Sequence, residues 1–169
     1  MHLYTMEGNS TAAQLASRRV EEYLVSRSDT FLVDNVEEDV AYQEIDVDFI
    51  WHRVNPENDT MIELKIEVKG DRKNTKNFFF ETISNLEKGT PGCMLYTEAD
   101  LLFYVFLNDF SLYVIKVSEL KKWISDNEFK YEHKNVGTMV GDTWYTSVGI
   151  PVPIKDIVLD ISGVKRIQI

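Results

Sequence analysis

The 169-residue chain has a single cysteine, Cys93. One thiol excludes an internal disulfide and fits a reducing compartment. Histidine is scarce as well. His2, His52 and His133, with no partnering cysteines, do not make a zinc site of the usual kind. Long apolar runs are missing: the longest, Leu101 to Leu107, has seven residues, whereas a membrane-spanning helix needs about 20. Met1 to Ser10 lacks the basic-then-apolar pattern of a secretory leader. The expectation is therefore a cytoplasmic protein with no membrane association. No internal repeat, low-complexity tract or Gly/Ser linker divides the sequence, so residues 1–169 read as a single domain. Positive charge is in deficit, with 18 Lys and Arg against 28 Asp and Glu, a net −10. That excludes a protein that coats nucleic acid by bulk electrostatics, because phosphate binding is mostly cation-driven.

What is present is ordinary for a globular chain: 44% apolar and 27% charged residues. A domain of this length hides roughly 70% of its unfolded surface. Leu15, Ala16, Val20, Tyr23 and Leu24 recur at helical spacing and predict a helix over Thr11 to Ser26, capped by Ser10 or Thr11. Asp34 to Asp48 then carries seven carboxylates and no basic residue. Residues 45–52 alternate, with Ile45, Val47 and Phe49 on one face and Asp46, Asp48 and His52 on the other. Asn55 to Thr60 is turn chemistry. A second alternating segment sets Ile62, Leu64, Ile66 and Val68 against Glu63, Lys65, Glu67 and Lys69, ending at Gly70-Asp71. Further strands are expected at Asn77 to Ile83, Leu101 to Leu107, Leu112 to Val117 and Thr143 to Val148, and a helix at Ser118 to Asn127. Pro151 and Pro153 are expected to break regularity before a short final turn and strand. The sum is an α+β domain with one mostly antiparallel sheet.

The hairpin carries the chemistry. With the turn centred between Glu57 and Asn58, opposed residues have numbers summing to 115. Asp48 then lies across from Glu67, and Asp46 across from Lys69, at Cβ separations of about 4.5–5.5 Å. Like charges so opposed repel unless something neutralises them. A hard divalent cation, Mg²⁺ or alternatively Mn²⁺, would do so, since such ions prefer oxygen ligands. Lys69 points to the same face, two residues after Glu67. A one-residue slip of register would separate all of these groups.

Asp48, followed after 18 residues by Glu67-Val68-Lys69 on the next strand, resembles the PD-(D/E)xK nuclease superfamily. Gln43 to Phe49 and Ile66 to Arg72 look like the catalytic hairpin of its small phage-type and Holliday-junction-resolvase-like members. Asn77 to Glu81 and Thr97 to Asp100 look like segments that follow it there, and the resemblance spans residues 8–125. It implies a restriction-endonuclease-like core, a mixed and mostly antiparallel sheet flanked by helices. It also implies Mg²⁺-dependent hydrolysis of DNA phosphodiesters by an endonuclease, on duplex or branched DNA, leaving a 5′-phosphate and a 3′-hydroxyl. A phage origin in a bacterial host goes with it. In that family the Asp and Glu hold the metal together with the carbonyl between Glu and Lys, which transfers to Asp48, Glu67 and Val68. The lysine, here Lys69, orients or deprotonates the attacking water. Two positions depart from the pattern: Val47 stands where many members have proline, and the helix glutamate of some members has two candidates, Glu21 and Glu22.

Acid-x-Lys triplets recur elsewhere, at 63–65, 71–73, 119–121, 128–130 and 132–134. Position singles out 67–69, opposite an aspartate on an apolar strand; Glu63-Lys65, opposite His52, is the fallback. The charge is also uneven: residues 65–76 carry +3, leaving −13 on the rest. Within that segment Lys65, Arg72, Lys73 and Lys76 are the candidate DNA contacts. Asp46 is either a further ligand or a salt-bridge partner of Lys69. Glu81 approaches the site if 77–83 is a neighbouring strand, and is otherwise an ordinary polar residue. His52 reads as an edge residue rather than a DNA contact, Asp100 as a cap rather than a ligand, and the aromatics at 78–80, 103, 104 and 106 as core rather than stacking platforms. The apolar tail, Val148 to Leu159, supplies either core or the interface of a homodimer suited to paired cuts. Two other functions stay open. One is an inactive nuclease-fold protein acting as an acidic binding module, and the other an RNA-directed nuclease on the same fold.

Overall fold

Alternating β-branched and aromatic residues favour strands, and the chain builds two sheets from them. The computed structural model describes residues 4–73, 75–140 and 143–169. In chain order the elements are β1 (Tyr4–Thr5), α1 (Met6–Ser26), β2 (Thr30–Asn35), α2 (Val40–Gln43), β3 (Phe49–Val54), β4 (Met61–Asp71), β5 (Asn77–Asn85), β6 (Thr90–Pro91), α3 (Cys93–Tyr96), β7 (Leu101–Phe106), β8 (Ser111–Lys116), α4 (Val117–Asn127), β9 (Lys134–Val140), β10 (Thr143–Pro153), α5 (Ile154–Asp160) and β11 (Lys165–Gln168). Six strands form one sheet in the order β11-β8-β7-β4-β3-β2, and five form the other in the order β1-β9-β10-β5-β6. Among the described residues only β4–β7 and β1–β9 pair in parallel. The fold is thus α+β with mixed, mostly antiparallel sheets and flanking helices. Among the described residues no helix is long and apolar enough to cross a membrane.

Two sheets replace the single one expected. Both edges of β4 are occupied, by antiparallel β3 and parallel β7, so β5 cannot join it. The chain turns through Lys76 at φ 62°, and β5 pairs with β10 in a second layer.

Helix α1 covers one face of the six-stranded sheet. Ala16, Val20 and Leu24 pack there against Phe49, Trp51, Ile66, Phe103, Val105 and Leu112. Small residues bring helix and strand close: a Cβ on Gly70 would lie 2.8 Å from Ala16 Cβ and 2.9 Å from the Ala12 carbonyl oxygen. Leu15, expected in the apolar stripe, is 39% exposed instead. The helix begins at Met6, so Ser10 and Thr11 lie inside it rather than capping it.

The opposite face of that sheet, with Ile50, Leu102, Tyr104, Phe106 and Ile115, packs against Phe78, Phe80, Ile150 and Val152 of the second sheet and against Leu120, Trp123 and Ile124 of α4. Each large apolar side chain so buried contributes about 1.5–3 kcal/mol. Of the aromatics expected in the core, those at 78, 80, 103, 104 and 106 are buried, whereas Phe79 is only half-buried because its ring turns to the outer face of β5 over Gly149. Val148, Ile150, Val152 and Ile157 of the tail are core as well, while Leu159 is 80% exposed.

Two further boundaries differ from expectation. The strand over residues 45–52 starts only at Phe49, because Val40–Gln43 forms a helical turn and Asp46 adopts a left-handed φ of 54°. Pro151 and Pro153 do not break β10. Pairing with β9 has already ended at Gly149–Lys134, so that flank of β10 is an edge, where a missing N–H is tolerated.

Candidate active site

The β3–β4 pairing runs from Val54–Met61 to Phe49–Ile66, the register expected from the turn. Asp48 extends it by one step. Its N–H donates to the Ile66 carbonyl at 2.8 Å, and its carboxylate Oδ2 accepts the Val68 N–H at 2.7 Å. Asp48 therefore stands across from Glu67, close enough for the two carboxyls to influence each other's ionisation. Alternation along β4 sends Ile66 and Val68 to the α1 side. Lys65, Glu67, Lys69 and Asp71 take the other face, toward the second sheet. Glu67 is only 7% exposed there.

Burial dominates the electrostatics of these acids. It pushes Asp48 up to about 7, with the charges of Glu37 and Asp46 adding and the Val68 N–H opposing. Burial also lifts Glu67 well above the carboxylate range, reinforced by Asp48 and Asp46. Asp46 is raised for the same first reason, countered by the Lys69 ammonium. Burial works against the charge on Lys69 too, but Cys93, Glu81, Tyr104 and Glu67 outweigh it and hold the ammonium above its ordinary value. Lys69 is 25% exposed and lies 3.7 Å from Glu81 of the second sheet.

Two carboxylate oxygens, Asp46 Oδ2 and Glu67 Oε2, are buried without a hydrogen-bond partner. Leaving such atoms unsatisfied costs about 1–3 kcal/mol each. An all-oxygen donor set of this kind fits a hard cation. Among the described residues no group of three or more His, Cys, Asp and Glu side chains forms a preassembled metal cluster.

The remaining expected residues divide. Asp46 is not on the strand across from Lys69, yet its loop turns the side chain toward Glu67, Lys69 and Cys93. Thr97 Oγ1 pins that loop by donating to the Asp46 carbonyl at 2.9 Å. Glu81 does not come from a neighbouring strand of the same sheet, but reaches Lys69 across the layers. Glu21 and Glu22 are not brought to the site: α1 lies on the far face of the sheet, and Glu22 pairs with Arg18 at 3.1 Å. Lys65 is 3.8 Å from Glu98, and Arg72, Lys73 and Lys76 are exposed at the end of β4 and in the loop after it. His52 lies between Asp34, at 3.1 Å, and Glu63, at 3.7 Å. Asp100 accepts the Lys65 N–H at 2.7 Å and so caps the β4–β7 junction.

Sequence reasoning missed Cys93, Tyr96 and Tyr104. The buried Cys93 thiol, pushed up to about 12 by burial, is an inert wall of the site. Tyr96, 38% exposed and also pushed up to about 12 by burial, stands near Asp46, Cys93 and Glu67. Tyr104 accepts the Phe79 N–H at 3.1 Å and donates to Asp71 at 3.0 Å. Local sequence carried no signal for any of the three, because they arrive from α3 and β7, outside the hairpin. Compared with known protein families, with curated proteins and with solved structures, the chain matches none.

Proposed function

We propose that the chain is a Mg²⁺-dependent DNA endonuclease with a restriction-endonuclease-like core. The observation that carries this reading is the Asp48–Glu67 carboxyl pair, opposed across a hairpin, with a buried orphan oxygen on Glu67 and Lys69 on the same face. The order β3-β4-β7, antiparallel then parallel, with α1 across one face, supports it, because the resemblance implies such a mixed sheet.

Asp48, Glu67 and the Val68 carbonyl would hold the cation, with Asp46 as the auxiliary acid. Mg²⁺ or Mn²⁺, when bound, offsets charge on phosphate oxygens and lowers the pKa of a water. The chain's own groups do the rest. Lys69 sets a fixed positive charge beside the scissile phosphate in a site with little water around it. Glu81, 3.7 Å from its ammonium, holds that side chain in place. Val68 fixes the Asp48 carboxylate through its N–H. Arg72, Lys73 and Lys76, with Lys65 nearer the carboxylates, supply the cations that a phosphate backbone needs. The acidic remainder of the surface confines binding to that side.

The test is cleavage of supercoiled plasmid and of branched and linear oligonucleotides, DNA and RNA, in Mg²⁺ or EDTA. Metal-dependent cutting should fall about 100-fold or more in Asp48→Asn and Lys69→Met. Cutting that survives both substitutions overturns the assignment. No cutting, together with no calorimetric Mg²⁺ or Mn²⁺ binding that depends on Asp48 and Glu67, makes the chain an inactive acidic binding module instead.

A further inference from the structure

A cavity of about 410 Å³ opens beside Lys69, between the start of α1, the end of β4 and the second sheet. Neither Asp48 nor Glu67 lines it. Lys69 and Glu81 do, and they form the wall it shares with the carboxylate cluster. Its volume is in the range of small-ligand sites, about 300–1,000 Å³, and far too small for a duplex.

The lining has three chemical parts. Arg72 and Lys73, both exposed, stand at the rim, where backbone phosphates would pass. Phe79 contributes a half-buried ring, whereas its neighbours Phe78 and Phe80 are 0% and 1% exposed. That ring lies over Gly149, where a Cβ would come within 2.6 Å of it, so the glycine leaves room for the ring. Asn77 and Ser147 add an amide and a hydroxyl to the same walls. Cations at the mouth, an aromatic face inside and a few hydrogen-bonding groups are what an unstacked nucleotide needs.

We infer that this cavity receives one unpaired nucleotide next to the phosphate that Lys69 faces, so that the substrate is DNA with a single-stranded or frayed segment at the cut. The position of that phosphate rests on the nuclease reading above; the binding of the nucleotide does not. Every base presents a π-face, so stacking on Phe79 tolerates any sequence. A base already unpaired enters without the cost of leaving a duplex stack. Continuous duplex has no group small enough to fill the cavity.

Binding in EDTA tests this without any cleavage. The probes are a short oligothymidine carrying one 2-aminopurine and the same strand in a blunt duplex, followed by anisotropy and by 2-aminopurine emission. The single strand should bind about tenfold more tightly than the duplex, with a change in emission on binding. Ala13→Trp on α1 and Thr75→Trp in the loop between β4 and β5 each fill the cavity from an exposed position. Either one should bring the two affinities within twofold, while Ala13→Ser leaves the preference intact. Equal affinities in the unaltered protein, or a preference that survives both tryptophans in folded variants, would overturn the inference. A strand that binds as described but is never cut with Mg²⁺ removes the nuclease reading and leaves the pocket standing. Efficient cutting of blunt duplex without any emission change does the reverse.

Discussion

The Val68 N–H donates to the Asp48 carboxylate at 2.7 Å, one residue beyond the last formal pair of the β3–β4 hairpin. A single main-chain bond thus aims an acid at the face where Glu67 already stands. The protein keeps two carboxyls together although burial disfavours the charge on each and Asp48 raises Glu67 further. Such an arrangement is unfavourable without a cation and is found where function requires it.

Neutralising one member should therefore stabilise the metal-free protein. Asp48→Asn keeps an oxygen to accept the Val68 N–H and removes a charge that burial disfavours. At pH 8 in EDTA its melting temperature should rise by about 3–6 °C, corresponding to roughly 1–2 kcal/mol. Differential scanning fluorimetry checks this, and a lower melting point would contradict the proposed strain.

Stability should also depend on pH in a defined direction. Folding raises Asp48 from an ordinary 3.8 to about 7 and lifts Glu67 well above its own ordinary value. The native state then binds more protons than the unfolded one between these limits. Stability is fully present below about pH 4 for these groups and is lost as pH rises through 7. Metal-free melting temperatures should thus decline from pH 5 to pH 8, and added Mg²⁺ or Mn²⁺ should restore part of the loss at pH 8. A flat profile, unaffected by either ion, would count against the cluster.

Asp29 provides the opposite case. It accepts two bonds from Arg27, both 2.9 Å, and lies 2.6 Å from Arg53. The Arg27 hydrogen bonds lower its pKa first, and the charges of Arg27 and Arg53 add to this. Here stability is present above the unfolded value, about 3.9, and is lost as pH falls through the lowered native one. Asp29→Asn leaves two partly buried guanidiniums uncompensated and should cost about 1.5–3 kcal/mol at pH 7. Urea melts at pH 7 and pH 3 check it: the difference from the unaltered protein should shrink at the lower pH.

The Tyr104 hydroxyl bridges the two sheets. Tyr104, 1% exposed, takes the Phe79 N–H from the second sheet and gives its own proton to Asp71 of the first. Tyr104→Phe leaves that N–H without its acceptor, a loss of about 1–3 kcal/mol. Thermal melting should show a drop of about 3–10 °C. Hydrogen exchange should place the added openings at Phe79, and an unchanged exchange rate there would refute the bridging role.

Much of the hairpin was legible in the sequence. Strand periodicity and turn chemistry are local properties, so Asn55 to Thr60 and the alternation through Val68 were enough for the register that puts Asp48 opposite Glu67. The loop before it was not. Alternation at 45–48 mimics a strand, but Thr97 pins the Asp46 carbonyl and a left-handed turn aims the carboxylate inward. No local pattern encodes a partner 51 residues away.

By itself, then, the sequence determined the secondary structure of the β3–β4 hairpin, its charged face and the +3 segment over residues 65–76, because each depends on neighbours along the chain or across one tight turn. The tertiary structure decided the rest. It buried Glu67 between two sheets, brought Glu81 across the layers to Lys69, left Glu21 and Glu22 on the far face and opened the cavity beside the site. Burial, pKa and enclosed volume depend on which residues meet in space, and those residues come from α1, β4, β5, β7 and β10 together.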